Sequence, residues 1–229
     1  MIKISEKLKQ NLKKNGSPVI AVILFVAAFG ITVLSLRSCT PAIDRYEVGK
    51  AVRSIVDGEK GDVVAEINGT EYYRQDLDLM HQMLRITEPE YSSLKENQQN
   101  SLAGEALIKQ KLLLHEFDRL ELTVTEEEFN EYLDRQKQDA FEKISLGNDE
   151  SKALTDYISG YGCTYSEYWE DAYVLQSYRD NIKIDKVGSY ICIQKGGQSK
   201  VSAIYIQNYL ADLIKDGTYK VTLFGEEFK

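Results

Sequence analysis

Residues Leu102 to Leu133 constrain the fold more than any other stretch (LAGEALIKQKLLLHEFDRLELTVTEEEFNEYL). Ala103, Ala106, Leu107, Gln110, Leu113, Leu114 and Phe117 recur at spacings of three and four, so in a helix they share one face. Ile108 and Leu112 widen that face, and a helix apolar over so much of its circumference has to be buried on more than one side. Leu120 and Leu122 close the pattern, and the chain then restarts. Thr125 is an N-cap residue and Glu128 follows three positions later, the pattern of a capping box. Val124 before the cap and Phe129 inside the helix make a hydrophobic staple. The expectation is a long buried helix from about Ser101, a short fixed turn, and a second helix over 126–144 with Phe129, Leu133, Ala140 and Ile144 inward.

Upstream, Val19 to Leu36 carries no charge. Its 18 residues span roughly 27 Å as a helix, enough for a bilayer core. Five lysines and Arg37 stand against Glu6 in residues 1–37, a balance of +5, whereas the whole chain carries −8 and the remainder therefore −13. The lysine-rich start is expected to stay cytoplasmic, which places the acidic part outside. The expected organisation is a basic tail (1–18), a transmembrane anchor (19–36), a linker (37–61) whose weakly periodic Val48, Val52 and Ile55 allow a short helix, and an extracytoplasmic domain (62–229). A signal peptide is the rival reading, although 18 apolar residues are long for one. Leu36-Arg37-Ser38-Cys39 faintly resembles a lipobox, so a lipid anchor at Cys39 is the alternative tether. The acidic domain argues against nucleic acid. It suits basic clients or simply a solvated surface.

Residues 62–67 read as a strand and Asn68-Gly69 as a tight turn. A helix follows over 74–86, with Leu77, Met80, Met83 and Leu84 on its apolar side, and Pro89 stops it. Residues 91–100 read as a loop or short helix. Residues 151–159 form a short helix ended by Gly160-Tyr161-Gly162. Thr164 and Glu167 repeat the capping box, and the helix they start is expected to run to about Ile184. Ser189 to Gln194 (SYICIQ) alternates like a strand and Gly196-Gly197 reads as a turn. Residues 201–214 have helical spacing, with a hairpin between 200–206 and SYICIQ as the alternative. Tyr219 to Phe224 is a closing strand able to pair with 63–67.

This order resembles the N-terminal chaperone domain of SurA- and PrsA-type peptidyl-prolyl isomerases, which is related to the peptide-binding region of trigger factor. The matching positions are Val64, Ala65, Ile67, Asn68 and Gly69; Asp76 and Leu77; Ala106 to Leu114; Val124, Thr125 and Glu128; and Gly162, Thr164, Glu167 and Tyr168. They cover about 62–184. Arg74 departs from the family's usual serine or threonine cap. The resemblance implies a mainly α, SurA N-terminal-like helical domain with a small β element built from an N-terminal and a C-terminal strand. Its preceding transmembrane helix comes from the apolar stretch, not from the family.

In the family a parvulin isomerase domain usually follows, and the 45 residues after Ile184 are too few for one. The only histidines, His81 and His115, fall inside the helical region, where a structural role is expected. No catalytic residue, metal ligand or cofactor is therefore expected. Glu126, Glu127 and Glu128 are explained by the helix dipole that acidic residues complement in a first turn. Cys163 and Cys192 are either a disulfide or two separate thiols.

Six of the fifteen tyrosines crowd into residues 157–178, with Trp169 among them. Such rings either pack helices together or offer an adaptable surface to unfolded segments. On the second reading Met80, Met83, Leu84, Tyr161, Tyr165, Trp169 and Tyr173 line a groove between the first helix and the Thr164-capped helix. The expected function is a membrane-anchored holdase for unfolded or nascent secreted polypeptides. A scaffold for one dedicated membrane partner is the alternative, and an isomerase with an unrecognised site is the third reading.

Overall fold

The computed structural model describes residues 43–88, 90–196 and 203–224. Eight helices and three strands occur among them: α1 (Arg45–Val56), β1 (Val63–Ile67), β2 (Thr70–Tyr73), α2 (Arg74–Thr87), α3 (Glu96–Arg119), α4 (Glu126–Ser145), α5 (Asp149–Tyr161), α6 (Tyr165–Tyr168), α7 (Ala172–Gly196), α8 (Ala203–Lys215) and β3 (Val221–Leu223). The architecture is mainly helical with one small antiparallel sheet of order β2-β1-β3. Among the described residues no helix is long and apolar enough to cross a membrane. The expected anchor at 19–36, its basic tail and Cys39 lie outside the described residues.

The sheet follows from two local signals and one distant pairing. Asn68 and Gly69 both have positive φ (50° and 88°), the conformation of a two-residue hairpin turn. β1 then pairs on its other edge with β3, Ala65 opposite Leu223 and Ile67 opposite Val221. The Asn68 side chain fixes that register: its Nδ2 donates to the Thr218 carbonyl (3.0 Å) and its Oδ1 accepts from the Lys220 N–H (2.8 Å).

The Thr125 restart forms as the sequence dictates. Thr125 Oγ1 accepts from the Glu128 N–H (3.1 Å), and a Glu128 carboxylate oxygen accepts from the Thr125 N–H (2.9 Å). At the start of α2, where Arg74 broke the family pattern, the cap position is Tyr73. Its N–H donates to Asp76 Oδ2 (3.0 Å), so the aspartate supplies the missing satisfaction.

Four expectations are corrected. The buried helix begins at Glu96, not near Ser101: Gln98 Oε1 accepts from the Lys95 N–H and Gln99 reaches back to the Tyr91 and Leu94 carbonyls. The short helix allowed within the linker 37–61 forms but is no part of a spacer, because Val48 and Val52 of α1 are fully buried against α5. The Thr164-capped helix stops after one turn. Asp171 Oδ1 accepts from the Tyr173 and Val174 N–H groups (2.9 and 3.2 Å) and starts α7 afresh. Finally, SYICIQ is helical, as the continuation of α7. Ile184, Val187 and Ile191 are buried at helical spacing, and burying that face outweighs the local alternation. Ser189–Gln194 and 203–215 being helical, the hairpin between them does not form.

Two apolar cores result. One joins β1, α2, α3, the second half of α7 and α8, around Ile67, Leu77, Leu107, Leu113, Val187 and Ile191. The other joins α1, α4, α5, α6 and the first half of α7, around Val52, Leu154, Tyr157, Tyr161, Trp169 and Tyr178. At 25 residues, about 37 Å, α7 is long enough to serve both.

Two features hold these cores closed. Gly49 and Gly160 let the α1 and α5 backbones touch: a Cβ at Gly49 would meet the Tyr157 carbonyl, and one at Gly160 the Tyr46 carbonyl. In the other core, Glu116 is fully buried. Its carboxylate accepts from Arg119 Nε (2.7 Å) and Nη2 (2.8 Å), from the Tyr209 hydroxyl (2.7 Å) and from the Tyr219 hydroxyl (2.7 Å). Burial pushes this carboxyl up, but the bonds from Arg119, Tyr219 and Tyr209 together outweigh it and hold it below its ordinary value. Cys163 and Cys192 are not joined in a disulfide; the first is half-buried and the second buried.

Gly160→Ala is expected to lower stability by about 1–3 kcal/mol through overpacking, read as a fall in the urea midpoint. Glu116→Gln places an amide N–H₂ opposite the donors and is expected to cost about 2 kcal/mol at neutral pH. Because the folded carboxyl lies below its ordinary value of 4.5, its contribution is present above that value. It is lost as pH falls through the folded value. Urea unfolding at pH 7 and at acid pH should therefore show the gap between wild type and Glu116→Gln narrowing with acid.

Candidate client-binding surfaces

Two of the hollows on the described surface bear on peptide binding. The smaller, about 110 Å³, lies between α2, α3 and α7. Leu79, Met80, Met83 and Tyr173 give it apolar walls, and Gln110, Ser177, Asp180 and Asn181 give it polar ones. Lys111 Nζ bonds Asp76 Oδ1 across it at 2.8 Å. Burial pushes the Asp180 carboxyl up and the Tyr173 phenol to about 12. This crevice is narrow and half polar.

The larger cleft, about 590 Å³, lies between α4, α5 and α6. Its floor is Ile144, Ile158 and Cys163, and Phe141 and Tyr165 form its sides. Thr155, Ser159 and Gly162 edge it, and Glu167 is its one charged lining residue. Phe141 is 59 % exposed, the most exposed aromatic ring among the described residues, and Leu146, just past the end of the same helix, is 68 % exposed. The cleft is positioned by local chemistry. Asn148 Oδ1 accepts from the Ser151 N–H (3.0 Å) to start α5 directly after α4. Gly162 ends α5 with φ of 84°, the left-handed conformation usual past a helix end. The Tyr165 hydroxyl donates to the Lys137 carbonyl (2.8 Å), which ties α6 to α4.

The seven residues proposed from the sequence do not form one groove. Met80, Met83 and Tyr173 meet at the small crevice, though both methionines are nearly buried (3 % and 4 %). Leu84 packs inside the first core. Tyr161 and Trp169 belong to the second. Trp169 stacks on Tyr178 (5.5 Å between centroids) and meets Tyr168 edge-on (5.4 Å). The Tyr161 hydroxyl donates to Asp171 Oδ1 (3.0 Å) under the Arg53 guanidinium, which also bonds Asp171 (2.9 Å). These rings therefore pack helices. Tyr165 alone of the seven lines the larger cleft.

Sequence reasoning missed Phe141. The signal was an aromatic ring one residue out of phase with the inward stripe of Ala140 and Ile144. Such a ring has no core position to fill.

Neither histidine lines either of these two hollows. The Tyr91 hydroxyl, which donates to the Gln99 carbonyl (3.0 Å), also bonds His81 Nδ1, and Tyr72 bonds His115 Nε2 at 2.7 Å. Burial pulls both imidazoles below their ordinary value. Among the described residues no group of three His, Cys, Asp or Glu side chains is placed to hold a metal ion.

No curated protein and no solved structure matches the chain. A model of the SurA-like N-terminal domain matches residues 9–154, from the basic start through α1 to α4 and into α5. That match takes in more than half of the 229 residues, the β1–β2 hairpin and the Thr125 restart among them. With an apolar cleft on a helical body carrying that signature, the chain belongs to the SurA-like N-terminal domain family.

Proposed function

We propose that this protein is a membrane-tethered extracytoplasmic chaperone that holds unfolded or nascent segments of secreted and membrane proteins. The observation that carries the reading is the α4–α5–α6 cleft, where an aromatic ring stands exposed beside an apolar floor. Exposed apolar surface of this kind lowers its free energy by covering itself with another apolar segment. The cleft offers few fixed hydrogen-bond partners, so its binding tolerates many side chains. Membership of the SurA-like N-terminal family supports a peptide-binding role. The uncharged stretch 19–36 after a lysine-rich start supports the tether and its orientation. Tethering raises the concentration of the cleft beside emerging chains. No covalent step and no cofactor enters this reading.

The full chain is expected to suppress aggregation of several unrelated denatured clients when present in stoichiometric amounts. Phe141→Asp, at an exposed position, should remove most of that effect while leaving thermal unfolding nearly unchanged. Light scattering measures the first and circular dichroism the second. No suppression of any client, with one stoichiometric partner co-purifying, would favour the dedicated scaffold. A clear acceleration of proline-peptide isomerisation would favour the isomerase.

Orientation has its own test. In intact cells a membrane-impermeant thiol reagent should label Cys39 in a Cys163→Ser background, where the remaining Cys192 is buried. Labelling that requires lysis would place the domain inside, and a lipid-blocked Cys39 would replace the helix by an acyl anchor.

A further inference from the structure

We propose that the segments taken by the α4–α5–α6 cleft are apolar stretches flanked by lysine or arginine. This rests on the peptide-binding reading of that cleft and adds the charge class of its ligand.

The floor and the surroundings of the cleft differ in kind. Its lining contains no lysine or arginine, and its single charged member is Glu167. Around it, residues 126–171 hold thirteen acidic side chains against four basic ones. Three of those acids meet cations from outside this lobe: Glu126 bonds Arg179 (2.8 Å), Glu128 bonds Lys186 (2.8 Å) and Asp171 bonds Arg53 (2.9 Å). Ten acids against four bases remain, so the lobe is electronegative even after these pairs are formed.

Glu167 lines the cleft itself, and the charged residues next to its lining in sequence are Glu142, Lys143 and Asp156, so acids outnumber bases there. Glu142 follows Phe141 on α4 and is exposed. Asp156 follows Thr155 on α5, one turn before Ser159. Glu167 keeps its charge more firmly than a free carboxylate, because the Thr164 N–H and hydroxyl both donate to it (2.8 Å each).

An extended chain advances about 3.3–3.6 Å per residue, and charges in physiological salt interact over about 8 Å. Residues one or two places beyond an apolar stretch seated in the cleft therefore lie within the field of these carboxylates. A flanking cation is attracted and a flanking acid repelled, while the seated part meets mainly apolar atoms. The same field disfavours a second copy of this acidic domain as the occupant.

Three labelled peptides test this against the full chain by fluorescence anisotropy. They share one central run of leucine, valine and phenylalanine and differ in flanking pairs of lysine, serine or glutamate. In low salt the lysine-flanked peptide should bind at least about fivefold more tightly than the serine-flanked one, and the glutamate-flanked one most weakly. In about 1 M salt the three should converge as screening shortens the field to about 3 Å. The double variant Glu142→Lys, Asp156→Lys should erase the preference and leave the serine-flanked affinity unchanged. Phe141→Ser should weaken all three alike. Equal affinity of the three in low salt overturns the charge class and leaves the peptide-binding cleft standing. Absence of binding by any peptide, or binding indifferent to Phe141→Ser, overturns the cleft reading itself.

Discussion

A buried carboxylate holds the end of the described chain to its middle. Glu116 sits on α3 beside the buried apolar side chains of the first core, where an unpaired charge would be costly. Its four hydrogen bonds come from Arg119 on its own helix, Tyr209 on α8 and Tyr219 ahead of β3. Apolar contacts of α8 could slide by a fraction of a turn at small cost. Two tyrosine hydroxyls aimed at one carboxylate cannot, so the polar node selects one register. That register sets where β3 meets β1. The sheet and the first core therefore share this polar anchor, beside the Asn68 contacts that fix the strand register.

The second core is organised around close backbone contact and rings. Gly49 and Gly160 bring α1 against α5, and the aromatic cluster fills the space between α5, α6 and α7. Because α7 runs through both cores, neither can shift along it without disturbing the other. The cleft lies on the outer side of the second core, on α4 to α6, away from the Glu116 node. A surface meant to accept varied segments is thus carried by a rigid body, and only its rim side chains, such as Phe141, have freedom to adapt.

What the sequence made legible was what is decided locally. The Asn68-Gly69 turn and the Thr125–Glu128 and Thr164–Glu167 boxes are complete within four residues, and all three form. Elements decided by distant contacts were harder to read. α1 has only Val48 and Val52 as a buried stripe, and Gly49, which resembles a breaker, is there because α5 passes too close for a side chain. SYICIQ has the alternation of a strand, and only the burial of Ile184 and Val187 before it shows which period governs. Glu116 carries no local sign of its role because its tyrosine partners lie about a hundred residues on. The aromatic crowding was visible, but which rings face inward depends on helix packing that no local pattern encodes.

The pairing of β1 with β3 has a consequence for biogenesis. Asn68 and its partner Thr218 are 150 residues apart, so during synthesis β1 emerges long before the strand that covers its edge. With only β2 beside it, β1 leaves a row of unpaired backbone groups open to any passing strand. A protein proposed to shield unfinished chains is itself, until its last strand arrives, an unfinished chain with an exposed edge.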